Sequence, residues 1–564
     1  MTFSSYTYKR PQMEEVKECF TNAIEKFAKA PNATQQIEAI DEVNKLRNTI
    51  QTMFDLCYIR HSIDTNDEFY KEENDFMDEF SPLVEEFVRA FYKQLSDSPF
   101  RPQLEDHYGS QLFDLAEAQL KTFSPEIIPL LQKENKLSSE YSRLIASAKI
   151  DFRGEERTLA QLKPFMEDRD RNIRKQAGEA YFGFLADNED SLDSIFDQLV
   201  KVRHEIAVTL GYKNFVELGY YRMNRTDYNA DMVAGFRKQI EESVVPLVSA
   251  LKQRQANRIG VDVLKFYDES FEFQTGNAIP KGDPAWIVEN GKKMYSELST
   301  ETKEFFDFML NEQLMDLVAK KGKESGGYCT YLPDYKAPFI FSNFNGTSGD
   351  IDVLTHEAGH AFQVYRSRNL SIPEYYWPTY EAAEIHSMSM EFITWPWMEL
   401  FFKEDTDKYK FSHLSSALNF LPYGVTVDEY QHFVYENPEA TPAERKQAWR
   451  SIEQKYLPHR NYDGNVFLEN GGYWQTQGHI YNSPFYYIDY VLAQICAFQF
   501  WKRSIENDPS AWNDYLQLCD LGGSKSFLGL VETAHLQSPF KEGTVKTVIT
   551  TISDWLNGID DKLL

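Results

Sequence analysis

The stretch Asp352-Val-Leu-Thr-His356-Glu357-Ala-Gly-His360-Ala-Phe-Gln363 decides how the rest of this 564-residue chain is read. Thr347 and Ser348 precede it as N-cap candidates, with Asp350 in the first turn, so the spacing predicts a helix. At 3.6 residues per turn, positions four apart lie about 40° from alignment, which sends His356 and His360 out of one face towards a common ion. Glu357 stands about 100° round the same helix, free to activate the attacking water without binding the metal itself. Two imidazoles flanking a carboxylate base form the H-E-x-x-H arrangement of metal-dependent peptide hydrolysis. The chain also carries a decoy: His204-Glu205 starts the same pattern, but Val208 stands where the second histidine would be.

Catalytic zinc usually takes three protein ligands and leaves a fourth position open. Pro373 and Pro378 break the chain before a second helical segment, Thr379-Tyr-Glu381-Ala-Ala-Glu384-Ile-His386-Ser-Met-Ser-Met-Glu391-Phe392. Its acids sit among Ala382, Ala383, Ile385, Met388, Met390 and Phe392, and a mostly apolar helix needs a reason to carry carboxylates. Glu384 and Glu391, seven apart, share a face. Glu384 can complete the metal site while Glu391 accepts a ring N–H from a ligand histidine. On spacing alone Glu381 and His386 remain rivals for the third ligand.

Further on, Gly471-Gly-Tyr-Trp-Gln-Thr-Gln-Gly-His479-Ile-Tyr-Asn-Ser-Pro484-Phe-Tyr-Tyr-Ile-Asp-Tyr490 combines a glycine turn with dense Tyr and His. Amide hydrolysis builds negative charge on the carbonyl oxygen, and neutral donors aimed at it stabilise the transition state. His479, Tyr487 and Tyr490 are suitable donors; the bland alternative is aromatic packing, since aromatics make up 15% of the chain.

These segments together resemble the thimet oligopeptidase family of zinc peptidases, above all its oligoendopeptidase F and Pz-peptidase branch. The likeness covers residues 326–502, with weaker echoes at 207–215, 223–225 and 521–524. It implies that the glutamate before Ile385-His-Ser-Met, namely Glu384, is the third ligand to one Zn2+ per chain. It also implies roles for His479 and Tyr490. Where the thimet-like branch has a Gly-Tyr pair after the histidine, this chain has Pro484-Phe485 and a shorter His-to-Tyr spacing, so which tyrosine contacts the oxyanion stays open and Tyr486 is a further candidate beside Tyr487 and Tyr490. The implied fold is a mainly α, zincin-like peptidase with a small β-sheet beside the metal helix and two lobes around a deep cleft. Short peptide substrates and endopeptidase action follow from the same likeness. A zinc carboxypeptidase or dipeptidyl carboxypeptidase would need a cation to grip the substrate C-terminus, for which Arg225 is the nominee. A non-enzymatic helical scaffold would carry no zinc.

Helical periodicity dominates the remainder, over 14–50, 66–98, 110–150, 157–210, 229–258, 285–322 and 380–420. The best strand candidate is Tyr335–Ser342, with Tyr328–Leu332 before it and turns at Gly326-Gly327 and Asn345-Gly346. Ala337–Asn343 is a candidate edge for binding substrate backbone, and lesser strands are expected near Val261–Tyr267 and Phe271–Phe273. A division near residue 155 separates a helical N-terminal region, 1–155, from a catalytic region, 156–564; the resemblance makes the former a roof over the cleft. The net charge of −28 argues against nucleic-acid and anionic-membrane partners. Five scattered cysteines without a CxxC pair point to a reducing compartment. With no leader-like N-terminus and no span long and apolar enough for a bilayer, a cytoplasmic location is expected.

Overall fold

Proline and glycine breaks divide the periodic segments into helices of one to more than eight turns, and helix takes 70% of the chain against 4% strand. The computed structural model describes every residue except 321 and 325. The helices that frame the cleft are α1 (Ala33–Ile63), α2 (Glu68–Ser96), α3 (Ile128–Ala146), α4 (Glu189–Thr209), α5 (Phe215–Arg222), α6 (Gly349–Ser367), α7 (Tyr380–Ile393), α8 (Thr406–Glu436) and α9 (Tyr487–Ile505). Among the described residues no helix is long and apolar enough to cross a membrane.

A hairpin of β1 (Ile150–Phe152) and β2 (Glu155–Arg157) lies at the expected division. The second sheet has β3 (Met315–Val318), β4 (Tyr328–Leu332) and β5 (Ala337–Phe344) in the order β3-β5-β4. β5 pairs parallel to β3 and antiparallel to β4. This corrects the expected edge. The Ala337–Asn343 run is the central strand, with all but one of the residues Ala337–Phe344 buried, as a two-sided apolar run should be. The free edge facing the cleft belongs to β4. Neither Val261–Tyr267 nor Phe271–Phe273 forms a strand; Phe266–Asp268 is a 3₁₀ turn whose aromatics pack as core. The periodic run over 285–322 ends at Asn311, and β3 follows it.

One apolar cluster unites α1, α2 and their neighbours through Phe20, Ile40, Met77 and Phe91, and it takes in Ile372 and Tyr375 from beyond residue 155. Conversely, Leu137 and Tyr141 of α3 belong to the main core. The two regions therefore interlock rather than abut. A buried ion cluster ties them: Arg203 of α4 donates through Nε to Glu134 of α3 at 2.7 Å, and Arg222 reaches the other carboxylate oxygen at 3.0 Å. Arg203 also donates to the Tyr435 hydroxyl at 2.9 Å. Burial alone would raise the Glu134 pKa, but Arg222 and Arg203 outweigh it and hold it at about 2. A depressed carboxylate pKa contributes stability above its unfolded value of about 4.3 and loses it as pH falls through the folded value. Replacing Glu134 by Gln should cost about 3–5 kcal/mol at pH 7, because the buried Arg203 and the half-buried Arg222 lose their counter-charge. Urea unfolding should show the wild type losing more of its advantage between pH 5 and 2 than the variant does.

Candidate metal and peptide-hydrolysis site

Helices α6 and α7 pack backbone to backbone, and the approach is closest at Gly359. A Cβ there would stand 2.6 Å from Ser387 Cα and 2.7 Å from the His386 carbonyl oxygen, so no other residue fits without moving a helix. That contact brings the donors together. Glu384 Oε2 lies 3.3 Å from His356 Nε2 and 3.3 Å from His360 Nε2. Ligand atoms held by zinc at about 2.0–2.1 Å stand roughly 3.3–3.4 Å apart at the corners of a tetrahedron. The donor set fits such an ion.

Hydrogen bonding makes the same point. His356 Nδ1 donates to Glu391 Oε1 at 2.7 Å, leaving the Nε2 lone pair aimed at the Glu384 carboxylate. Lone pair facing lone pair is repulsive unless a cation stands between them. The electrostatics agree. Burial disfavours charge on His356, yet Glu384 and Glu391 overcome it and pull its pKa well up. Against the same burial, His360 and His356 hold Glu384 well below the usual carboxylate range. The cluster demands positive charge, which a divalent ion would supply.

Glu391 does more than hold one histidine. Its Oε2 accepts from His413 Nε2 at 2.8 Å, and His413 Nδ1 accepts from the indole N–H of Trp395 at 3.1 Å. Because an indole only donates, His413 carries its proton on Nε2, and Glu391 accepts from His413 on one oxygen and from His356 on the other. His413 lies on α8, 22 residues from Glu391, and sequence reasoning missed it. The one clue was an unexplained histidine within a helix. Asp352 nearby accepts from Tyr409 at 2.6 Å, and burial lifts its pKa to about 6.

The rival ligands are elsewhere. His386 is fully buried, its Nδ1 bonded to the Ala382 carbonyl at 2.8 Å and its pKa lowered by burial to about 4. The Glu381 carboxyl is buried beside Asp489, with its pKa pushed well up by burial and that neighbour.

Glu357 lines the cleft beside His356 and His360. Its carboxylate takes no part in the ligand set, and Oε2 has no protein partner. Burial raises its pKa, the two histidines opposing. Tyr486 donates to Glu384 Oε1 at 2.8 Å, and Tyr490 lines the cleft beside it. His479 stands 3.3 Å from the Tyr490 hydroxyl through Nε2. Its Nδ1 accepts from Gln477 Nε2 at 2.8 Å, and Gln477 Oε1 accepts from Tyr423 at 3.0 Å. This relay puts the His479 proton on Nε2, and burial keeps the ring neutral by lowering its pKa. Tyr487 is not among the cleft-lining residues: one position along α9 turns a side chain by about 100°, and its ring packs against Phe420, Tyr423 and the His479 ring. The tyrosine pair facing the cleft is Tyr486 and Tyr490, spaced i and i+4. Arg225 is likewise absent from the cleft: it is 3% exposed and pairs with Asp489 at 2.6 Å.

The cleft encloses about 930 Å³ between the metal cluster, the β4 edge (Gly327–Thr330) and the roof helices, which contribute Phe54, Val84 and Val88. The roof also grips β4: Thr330 donates to Asp55 of α1 at 3.1 Å, and burial lifts the Asp55 pKa to about 7. Burial raises the pKa of Cys329 far out of the reactive range, so this thiol is packing.

The chain is similar to known proteins in sequence and in fold. Residues 3–123 match the Peptidase M3 N-terminal domain, and residues 164–277 and 290–549 match Peptidase family M3. The Oligoendopeptidase F homolog of Borreliella burgdorferi is 25% identical over 372 residues, covering 64% of this chain and 61% of that protein, so the alignment spans less than two thirds of the relative. Oligopeptidase PepF of Bacillus subtilis is 19% identical over 555 residues, 93% of this chain and 80% of its own. Among solved structures, a Pz peptidase A bound to an inhibitor is 65% identical over 100% of both chains, with a TM-score of 0.98. A Bacillus anthracis protein assigned as an oligoendopeptidase F is 64% identical over 100% of this chain and 99% of that one, with a TM-score of 0.93. The donor geometry predicts that Glu384→Ala sharply lowers bound zinc in metal analysis, whereas Glu381→Ala keeps it near stoichiometric.

Proposed function

The chain belongs to peptidase family M3, and from that premise we propose that it is a zinc-dependent endopeptidase of short oligopeptides, holding one metal ion on His356, His360 and Glu384. The observation that carries this reading is the 3.3 Å spacing of Glu384 Oε2 from both imidazole Nε2 atoms, with Glu357 left over in the same cleft. Zinc so held supplies Lewis acidity to a scissile carbonyl and to water.

The protein's own groups do the rest. Glu357, its pKa raised by burial, takes a proton from the attacking water and later delivers it to the leaving amine. The unpartnered Oε2 supports this role, since nothing in the protein competes for it. Tyr490 and His479, both neutral at pH 7, are donors for the oxygen on which negative charge develops; Tyr486 joins them once its hydroxyl leaves Glu384. Relays fixing each tautomer in advance reduce the reorganisation needed when that charge appears.

The unpaired edge of β4 gives an extended peptide a row of backbone partners. A roofed cavity of about 930 Å³ suits a short chain and excludes a folded domain, and the names of the relatives, oligopeptidase and oligoendopeptidase, agree. The carboxypeptidase alternative loses its nominated grip with the burial of Arg225. Of the arginines that do line the cleft, Arg47 is held by Glu374 and Arg89 by Glu85.

Glu357→Gln should retain zinc while kcat on a quenched short peptide falls by about 10²–10⁴-fold; near-normal turnover would remove Glu357 from the mechanism. The short peptide should be cut internally whether or not its C-terminus is blocked, while native casein is cut far more slowly. Equal cleavage of both substrates would count against a roofed site.

A further inference from the structure

Arg225 is among the most thoroughly buried cations in the protein, and neither the metal cluster nor the cleft uses it. Its Nη2 makes two contacts, to Asp489 Oδ1 at 2.6 Å and to the Phe485 carbonyl at 2.5 Å. Both partners belong to the segment that presents the tyrosines: Phe485 immediately precedes Tyr486, and Asp489 immediately precedes Tyr490. Asp489 is further held by the Tyr228 hydroxyl at 3.3 Å.

Phe485 itself has φ +68°, in the left-handed region that a bulky aromatic residue rarely occupies. Such a backbone persists only where its surroundings over-determine it. Here they do so from three sides. The Phe485 amide donates to Gln431 Oε1 at 2.8 Å, its carbonyl is taken by Arg225, and its ring is seated in the core. The ring fits because residue 219 of α5 is glycine: a Cβ there would meet Phe485 Cδ2 at 2.5 Å and Cε2 at 2.9 Å. His432 and Tyr435 of α8 close on the ring's other faces, with centroids at 5.0 and 5.4 Å. The next residue, Tyr486, caps the start of α9 with its hydroxyl on Glu384.

We infer that Arg225, Gln431 and Gly219 are positioning residues that lock the left-handed turn at Phe485 and thereby aim the Tyr486 and Tyr490 hydroxyls at the reacting carbonyl. None of them touches substrate or metal. Each acts through the turn: a guanidinium and an amide oxygen fix its carbonyl and N–H, and a missing methyl admits its ring. Without the lock, Phe485 relaxes towards negative φ, and the start of α9 rotates the tyrosines away from Glu384 and the cleft.

The inference rests on the reading of these tyrosines as oxyanion donors, and the experiment separates the two. Tyr486→Phe and Tyr490→Phe, singly and together, test that reading: unchanged kcat in all three would end it. Gly219→Ala and Arg225→Met then test the lock, with Gln431→Leu as the milder variant should either fail to accumulate as folded protein. Each should lower kcat about tenfold, since small misplacements of catalytic groups cost up to about a hundredfold. KM and zinc content should stay within about twofold, and affinity for a phosphinic peptide transition-state analogue should fall in step with kcat. The deciding measurement repeats Gly219→Ala in the Tyr486→Phe/Tyr490→Phe background, where the further loss should shrink below about twofold because the aimed groups are already gone. A full tenfold loss there, or variants with normal kcat and analogue affinity, would overturn the lock.

Discussion

The close approach of α6 to α7 at Gly359 is the constraint from which the site follows. Two helices ordinarily stand 8–10 Å apart, the spacing that side chains impose. Here a bare Cα lets one helix rest almost on the backbone of the other, 2.6 Å being all that a Cβ would have. Only at that separation do short side chains such as Glu384 and the histidines bring nitrogen and oxygen within 3.3 Å. Burying carboxylates costs several kcal/mol each unless opposite charge is at hand. The helix pair therefore makes sense as a unit that would hold a cation, and its buried Glu384 and Glu357 are otherwise hard to account for.

Around this contact the protein arranges donors whose direction is settled in advance. Trp395 orients His413, which with His356 satisfies Glu391; Tyr423 orients Gln477, which orients His479. In each relay a group that can donate through only one atom removes the tautomeric freedom of the next. Both relays draw on α8, the first through His413 and the second from Tyr423, and the second continues through the segment before α9. A third set of restraints, on Phe485, fixes backbone rather than protons. All three spend buried polar groups on orientation, and all three draw on residues far apart in the chain.

The sheet and roof define what can reach that chemistry. Because β5 is central, its apolar run is buried on both faces and cannot meet a substrate; β4 takes the exposed edge. The N-terminal helices cross over this edge and are anchored to it by Thr330 and Asp55, while Glu134, Arg203 and Arg222 weld their far side to the catalytic core. The enclosure is thus part of the same packed body as the metal helix.

Much of the site was legible in residues near one another in the chain. The i, i+4 spacing of His356 and His360, the adjacent Glu357 and the acids of an apolar helix are consequences of helical periodicity, which sequence alone determines. The mainly helical class and the existence of β4 and β5 came from the same kind of local pattern. What the pattern could not say was which element neighbours which. The order β3-β5-β4 reversed the expected edge, since pairing depends on long-range contacts that leave no period in the chain. Which tyrosines line the cleft was not legible either, because the start of α9, and hence the phase of its tyrosines, follows a left-handed turn at Phe485 that is held by Arg225, Gln431 and Gly219 from distant helices. His413 stayed hidden for a similar reason: an isolated histidine acquires its role only from the carboxylate that folding brings to it. Spacing along a helix is set by backbone geometry and belongs to the sequence; convergence of separate helices is set by packing, and only the tertiary structure decided it.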